Sequence, residues 1–544
     1  MATNPLEPSQ PVNDGVNRRQ LMQLGVAALA GSVVLPSHCA PDGGPRPCPP
    51  SGRPNIILLM TDQERYPQYW PEGWAETNLP NRQRLANNGL TFTNAFCNAA
   101  MCSASRATLF TGLYPAQHGV KYVLQNDKPA QPTLRLPSEE TPNLATLLAS
   151  AGYDVQYRGK WHLSKDPSGK LEVQSRRDLE RYGFFGWVPP ESGQDEVAAH
   201  FGGGDEDFDA QYAAQAAAFL KNTDPNSPKP FALVVSFSNP HDIMGYPKHW
   251  NEAGISENPA FSGWDNYGSQ TPACFDQGID LPPQATLEEP LDQNFKPPAH
   301  FLSLGLYDTN LGTLDSEEMR RNYVNFYAYL TKLTDEHMGT VLDALESKPG
   351  LSENTIVIRL ADHGEMGLSH DGLRMKTYNA YEETIHVPLV ISNPKMFPGP
   401  VHTDALASLI DIMPTIAALA GVKEPLKCAP AGVDLSPIIR DAAHRRSNPA
   451  VSVQDAILFT TDELSPLEAP CNVRCLREAR WKFAINFDPH GRYDSFNELY
   501  DLANDPMELC NMAHPDSPCY DEAKTQEMLA KLTGKLAEEG IDGA

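Results

Sequence analysis

The chain has 544 residues, with 43 Lys and Arg against 69 Asp and Glu, a formal net charge of −26 at neutral pH. That balance argues against a nucleic-acid partner, because gripping a phosphate backbone needs a clustered positive surface. Hydrophobic residues make up 41% and aromatics 8% of the chain, enough to bury a large core, so global disorder is excluded as well.

At the N-terminus Arg18 and Arg19 precede a short, moderately apolar stretch over residues 24–35. Twin arginines before a weakly hydrophobic region read as a bacterial twin-arginine (Tat) export signal, here assigned to residues 1–40. The Tat export machinery is then an expected partner, and the expected location is the periplasm or outside the cell. Pro36 and His38 fit a lipoprotein cleavage motif at Cys39 poorly. No apolar run reaches the roughly 20 residues of a stable membrane span. A Pro- and Gly-rich linker follows over residues 41–52.

Residues 55–60 form a short, unbroken apolar run that ends in Asp62, Gln63 and Glu64. Such a run suggests a strand buried on both faces, as in a parallel sheet. The pattern recurs at 231–237, which leads to Asn239, His241 and Asp242, and at 355–360, which leads to Asp362, His363 and Glu365. Three strands therefore deliver carboxylates or imidazoles to the edge at which open α/β sheets bind ligands. Between the second and third lie a Pro-, Trp- and Asn-rich stretch, 246–301, expected to shape a substrate mouth, and an apolar helical period over 317–346. From about residue 448 the runs 451–459 and 481–487 alternate, followed by 498–502, which suggests a small antiparallel sheet. Residues 521–539 read as an amphipathic closing helix. These features divide the chain into a main domain, 53–445, which carries the three strand-end clusters, and a C-terminal subdomain, 446–544. Of the ten cysteines, Cys471, Cys475, Cys510 and Cys519 are candidates for bridges in an oxidising compartment, with the pairing open. They lack the CxxC spacing of a zinc site.

The sharpest motif begins at Cys102 and runs through Ser103, Ala104, Ser105 and Arg106 to Thr111 and Gly112. It resembles the signature of the type I sulfatases of the alkaline phosphatase superfamily, Cys-x-Pro/Ala-Ser-Arg with Thr-Gly a few residues on. Further motifs follow in that family's order: Gly152 and Tyr153 with Gly159, Lys160 and His162; Asn239 to Asp242; Asp362 and His363; Lys376; and Glu498 to Asn511. The resemblance implies an alkaline-phosphatase-like α/β fold, a three-layer sandwich with a mostly parallel central sheet, plus a smaller C-terminal antiparallel sheet with a helix.

It also implies hydrolysis of sulfate esters by a formylglycine made from Cys102. The hydrated aldehyde has two hydroxyls on one carbon, one to attack sulfur and one whose deprotonation expels sulfate. The resemblance implies a divalent metal held by Asp62, Gln63, Asp362, His363 and the Cys102 derivative. Oxygen-rich ligation with one imidazole suits calcium first, then magnesium or manganese. Arg106 would anchor this network, and Lys160 and His162 would hold the formylglycine hydroxyls, with His162 as the base for release. His241 would protonate the departing oxygen and Lys376 would neutralise its charge. Ala104 stands where the aerobic maturation enzyme prefers Pro, so either a formylglycine-generating enzyme or a radical maturase is an expected partner. Gln63 and His363 replace the Asp and Asn of many sulfatases, and on that account the alternative is a phosphonate monoester or phosphodiester hydrolase. A chain that kept the fold only to bind sulfated glycans would be expected to have lost some of Cys102, Lys160, His162, His241 or Lys376, and all are present.

Overall fold

Every residue of Asn55–Asp62 (β1) is buried, as an apolar strand covered on both faces must be. The computed structural model describes residues 52–66, 69–124, 143–164, 175–193, 200–204, 206–248, 273–422, 431–463 and 465–543. The export signal and all but the last residue of the linker lie outside these, as does much of the Pro-rich stretch. The next strands are Gly89–Phe92 (β2), Ala95–Phe96 (β3), Asp154–Gly159 (β4), Phe231–Pro240 (β5), Thr355–Ala361 (β6), Leu389–Ser392 (β7), Val401–Thr403 (β8) and Ala407–Ser408 (β9). Seven of them form one sheet in the order β4-β5-β1-β6-β7-β2-β8. All its pairings are parallel except the two made by β7.

The period-two alternation along β1 splits its side chains between two cores. Ile56, Leu58 and Met60 join Val234, Ile358 and the helices Cys102–Thr111, Leu144–Ser150 and Ile412–Ala420 on one face. Ile57 and Leu59 join Leu233, Val357 and the helices Phe208–Asn222 and Glu317–Glu346 on the other. The result is the three-layer α/β sandwich expected. The 317–346 helix starts where the apolar period does, because the Ser316 side chain accepts the N–H of Met319 and Glu317 and Glu318 occupy the first turn. In the Pro-rich stretch the described part is not a loop throughout, since Pro298–Leu311 is helical.

A second sheet follows: Ala456–Thr461 (β10), Asn472–Glu478 (β11), Trp481–Phe487 (β12) and Phe496–Asp501 (β13), antiparallel and in chain order. One face, with Phe459, Val473 and Ala484, continues the main core. The other, with Leu458, Phe483 and Leu499, packs against Met528, Leu532 and Leu536 of the helix Glu522–Glu539. Sequence reading missed β11, where Arg474 and Arg477 break the apolar alternation. Cys510 and Cys519 form a disulfide, while Cys471 and Cys475 are free thiols.

Buried charges tie this sheet to the segment between β6 and β7. Glu382 accepts two bonds from Arg477 (2.9 and 3.0 Å) and lies 3.3 Å from Lys482 Nζ. Lys482 also pairs with Glu508 and donates to the Ala380 carbonyl (2.7 Å). Burial lifts Glu382, but Arg477 and Lys482 outweigh it and hold its carboxyl below the usual range. Nearby, the His370 imidazole is clamped between Glu289 (2.5 Å) and Glu383 (3.7 Å) and stacked on Tyr381. Burial disfavours its charge, but the two carboxylates prevail and raise it to about 9.

Candidate active site

β1 and β6 are adjacent and parallel, with Thr61 opposite Ala361, so both chains leave the sheet at the same edge. Asp62 and Asp362 are the first residues beyond this pair, and the Asp362 N–H donates to the Thr61 carbonyl (3.1 Å). The Cys102–Thr111 helix brings Cys102 to them as its first residue, and Gly112 ends it at φ 66°. Ser105 Oγ donates to the Asp362 carbonyl (2.5 Å), which seats the helix on this strand end.

Arg106, one turn into that helix and fully buried, organises the site. Its Nε donates to Asp362 Oδ2 (2.9 Å) and its Nη2 to Asp62 Oδ2 (2.8 Å). Nη1 donates to the Lys160 carbonyl (2.9 Å) and Ser236 Oγ (2.7 Å). Lys160 Nζ takes the same Asp62 Oδ2 at 2.8 Å. The cations thus occupy the Oδ2 atoms and leave both Oδ1 atoms turned inward, at 3.6 and 3.7 Å from His363 Nε2. Cys102 Sγ stands 3.2 Å from that nitrogen and 3.5 Å from Asp62 Oδ1. His363 Nδ1 faces the Gly364 carbonyl (3.1 Å), an arrangement that puts the hydrogen on Nδ1 and aims the Nε2 lone pair at the cluster.

Ligand atoms of Asp62, Cys102, Asp362 and His363 all lie within 4.8 Å of one another, and this donor set fits a divalent cation. Burial lifts Asp62, but Lys160, His241, Arg106 and His363 outweigh it and hold the carboxylate well below its usual range. Asp362 moves the other way, pushed up to about 7 by burial and the charge of Asp62. Burial and Asp62 raise the Cys102 thiol, yet Lys376, Lys160 and His363 prevail and bring it well below its ordinary value.

Gln63, at φ 62°, is gripped at both ends of its amide. Its nitrogen donates to Glu365, and its oxygen accepts from Lys376 Nζ (2.5 Å). His241 follows β5 in a short 3-10 turn and is buried. Burial, Lys160 and Lys376 push it down to about 4. The stretch from Lys160 to His162 is not simply extended. β4 ends at Gly159 with φ 102°, where a Cβ would stand 1.9 Å from the Ser236 carbonyl oxygen. His162 itself has φ 54°, and its Nε2 faces the Leu124 carbonyl at 2.8 Å.

Three residues of this network carry no role in the sequence reading. Ser236 is a polar residue inside an apolar strand, a signal open to notice. Glu365 belongs to the acidic run after β6. Glu191, whose carboxylate accepts the His162 N–H (3.1 Å), lies in a Pro- and Gly-rich loop and offers no signal. A second convergence of His370, Glu383 and Glu508 is engaged by Glu289, Lys482 and the Glu382 N–H (2.8 Å), and acts as an ion network.

A family model described as Sulfatase matches residues 54–422, and one described as N-sulphoglucosamine sulphohydrolase, C-terminal, matches residues 373–541. Among curated proteins, the chain is 27% identical over 496 residues to a choline-sulfatase of Rhizobium meliloti, covering 87% of this chain and 85% of that one. It is 26% identical over 464 residues to a Delta 4,5-hexuronate-2-O-sulfatase of Bacteroides thetaiotaomicron, covering 85% of each. Among solved structures, the phosphonate monoester hydrolase of Agrobacterium radiobacter shares the fold with a TM-score of 0.65 at 24% identity, over 90% of this chain and 96% of that one.

Proposed function

The chain belongs to the sulfatase family, hydrolases of sulfuric esters, and from that premise we propose that Cys102, as its formylglycine derivative, is the nucleophile toward a small aryl or carbohydrate sulfate. The observation that carries this reading is the meeting of Cys102 Sγ with Asp62, Asp362 and His363 at one sheet edge. Formylglycine, once hydrated, supplies an attacking hydroxyl and a second hydroxyl through which sulfate is released. A divalent cation supplies charge neutralisation for the sulfate oxygens and for the two carboxylates. Asp62, Asp362 and His363 would hold it beside Cys102. Gln63 would join through Oε1, the atom that Lys376 now holds. Two carboxylates, an amide and one imidazole favour calcium, with magnesium or manganese as alternatives.

The remaining residues act by position and charge. Arg106 fixes the carboxylates, and Lys160 neutralises Asp62. His241, held low by burial and its lysine neighbours, would gain basicity when an anionic sulfate binds between them, which is what a donor to the departing oxygen requires. Lys376 would offset the charge on that oxygen. The net charge of −26 mildly repels heavily sulfated polymers and favours a small ester.

Initial rates from one enzyme batch, carrying calcium, magnesium or manganese in turn, test the reading. An aryl sulfate is expected to outrun a phosphonate monoester by about tenfold or more, about 1.4 kcal/mol of transition-state preference, and to do best with calcium. A faster phosphonate reaction would make the chain a phosphonate monoester or phosphodiester hydrolase, the reading that the Asp62-Gln63 and Asp362-His363 pairs favour. Arg18 and Arg19 support Tat export to the periplasm. Changing both to Lys is expected to keep the protein inside the cell, as read by osmotic-shock fractionation. Equal release of the variant would remove that assignment.

A further inference from the structure

His162 has a backbone φ of 54°, a conformation that a non-glycine residue keeps only when it is held there. Glu191 holds it. The Glu191 carboxylate accepts the N–H of Trp161 at both oxygens (3.0 and 3.2 Å), the N–H of His162 (3.1 Å) and the N–H of Gly193 (2.9 Å). Glu191 and His162 are both buried, at 5% and 0% exposure. The ring is fixed as well. Its Nε2 lies 2.8 Å from the Leu124 carbonyl oxygen, which can only accept, so Nε2 carries the hydrogen. In the neutral ring Nδ1 is then the nitrogen with the free lone pair. Nδ1 is buried and has no hydrogen-bond partner among the described residues. Leu124 donates its own N–H to Ser103 Oγ (3.1 Å), next to Cys102, so one residue couples the imidazole to the nucleophile's helix. Gly193 closes against the ring, where a Cβ would stand 2.5 Å from His162 Cδ2.

We propose that Glu191 is a positioning residue that, together with the Leu124 carbonyl, holds His162 as the Nε2–H tautomer and keeps Nδ1 as its basic atom. The inference rests on the reading of His162 as the base for sulfate release. In that step Nδ1 would take the proton of the hydroxyl remaining on the residue 102 carbon, whose C=O re-forms as its C–O bond to sulfate breaks, while Nε2 keeps its hydrogen bond to Leu124. Without Glu191, three backbone N–H groups lose their acceptor and the 161–162 backbone is free to turn the ring away from Leu124.

The test uses the full chain, histidine-labelled with nitrogen-15, as wild type, Glu191→Gln and Glu191→Asp, with His162→Ala to assign the signal. Imidazole NMR of protein with unconverted Cys102 is expected to show a single Nε2–H tautomer for wild-type His162 and a mixture in Glu191→Gln. In converted enzyme, Glu191→Gln is expected to lower kcat about 10- to 100-fold, the scale for a lost outer partner, with little change in KM. Glu191→Asp, which keeps the carboxylate, is expected to fall between. The proposal is overturned if wild-type His162 carries its hydrogen on Nδ1, a result that needs no variant to fold. An unchanged tautomer and kcat in Glu191→Gln overturns it too. If His162→Ala turns over like wild type, the reading of His162 as the base is what fails, and the tautomer alone then decides the role of Glu191.

Discussion

Replacing Cys102 by Ser is expected to lower turnover about 10⁵-fold or more, the scale seen when a catalytic nucleophile is removed, while leaving the melting temperature nearly unchanged. Serine has almost the volume of cysteine, and position 102 is 1% exposed within an otherwise intact helix. What serine lacks is the second hydroxyl on the same carbon, and with it the route by which sulfate departs. The tryptic peptide over residues 85–106 checks the premise directly, since it contains Cys97 beside Cys102. From a host with both kinds of maturase, it is expected to carry an aldehyde mass and one alkylated cysteine. Turnover should track the converted fraction. Full activity from protein with both cysteines alkylated would end the formylglycine reading.

Arg106→Ala is expected to abolish activity and to destabilise the fold by about 3–5 kcal/mol in chemical denaturation. An intact buried ion pair is weak evidence for stability, because desolvation offsets its attraction. Removing one partner is different. Asp62 and Asp362 are fully buried, and Arg106 donates a hydrogen bond to each. Lys160 still serves Asp62, so the cost falls mainly on Asp362. Arg106→Lys keeps the charge but not the planar fork that spans two carboxylates, Ser236 and a backbone carbonyl. It is expected to recover part of the stability and little of the activity. A denaturation midpoint for Arg106→Ala equal to that of wild type would show that these carboxylates find other partners.

The strands that build the site were legible because burial on both faces leaves an unbroken apolar run. β1, β5 and β6 each announce themselves this way, and so do the carboxylates and imidazoles at their ends. The short strands β2, β7 and β8 on one side of the sheet have only three or four residues, too few for any period to show. β11 was hidden for another reason, since Arg474 and Arg477 are buried there by ion pairs with Asp462 and Glu382. The orientation of the Gln63 amide could not be read at all. It follows from Glu365 and Lys376, more than 300 residues downstream, which only the folded sheet brings to it. Glu191 was equally silent, because its work is done on backbone N–H groups, which every residue offers and no motif records.

The pairing of Glu382 with Arg477 and Lys482, and of Lys482 with Glu508, bears on how such chains can diversify. Glu382 sits six residues beyond Lys376, in the segment that carries Lys376 to Gln63. A gene fusion joining the first 445 residues to a foreign C-terminal subdomain would inherit the buried Glu382 carboxylate without Arg477 and Lys482 to meet it. A crossover at that point is therefore expected to give a stable chain only where the incoming segment brings its own cations to the places of Arg477 and Lys482, which makes these buried charges a unit of exchange.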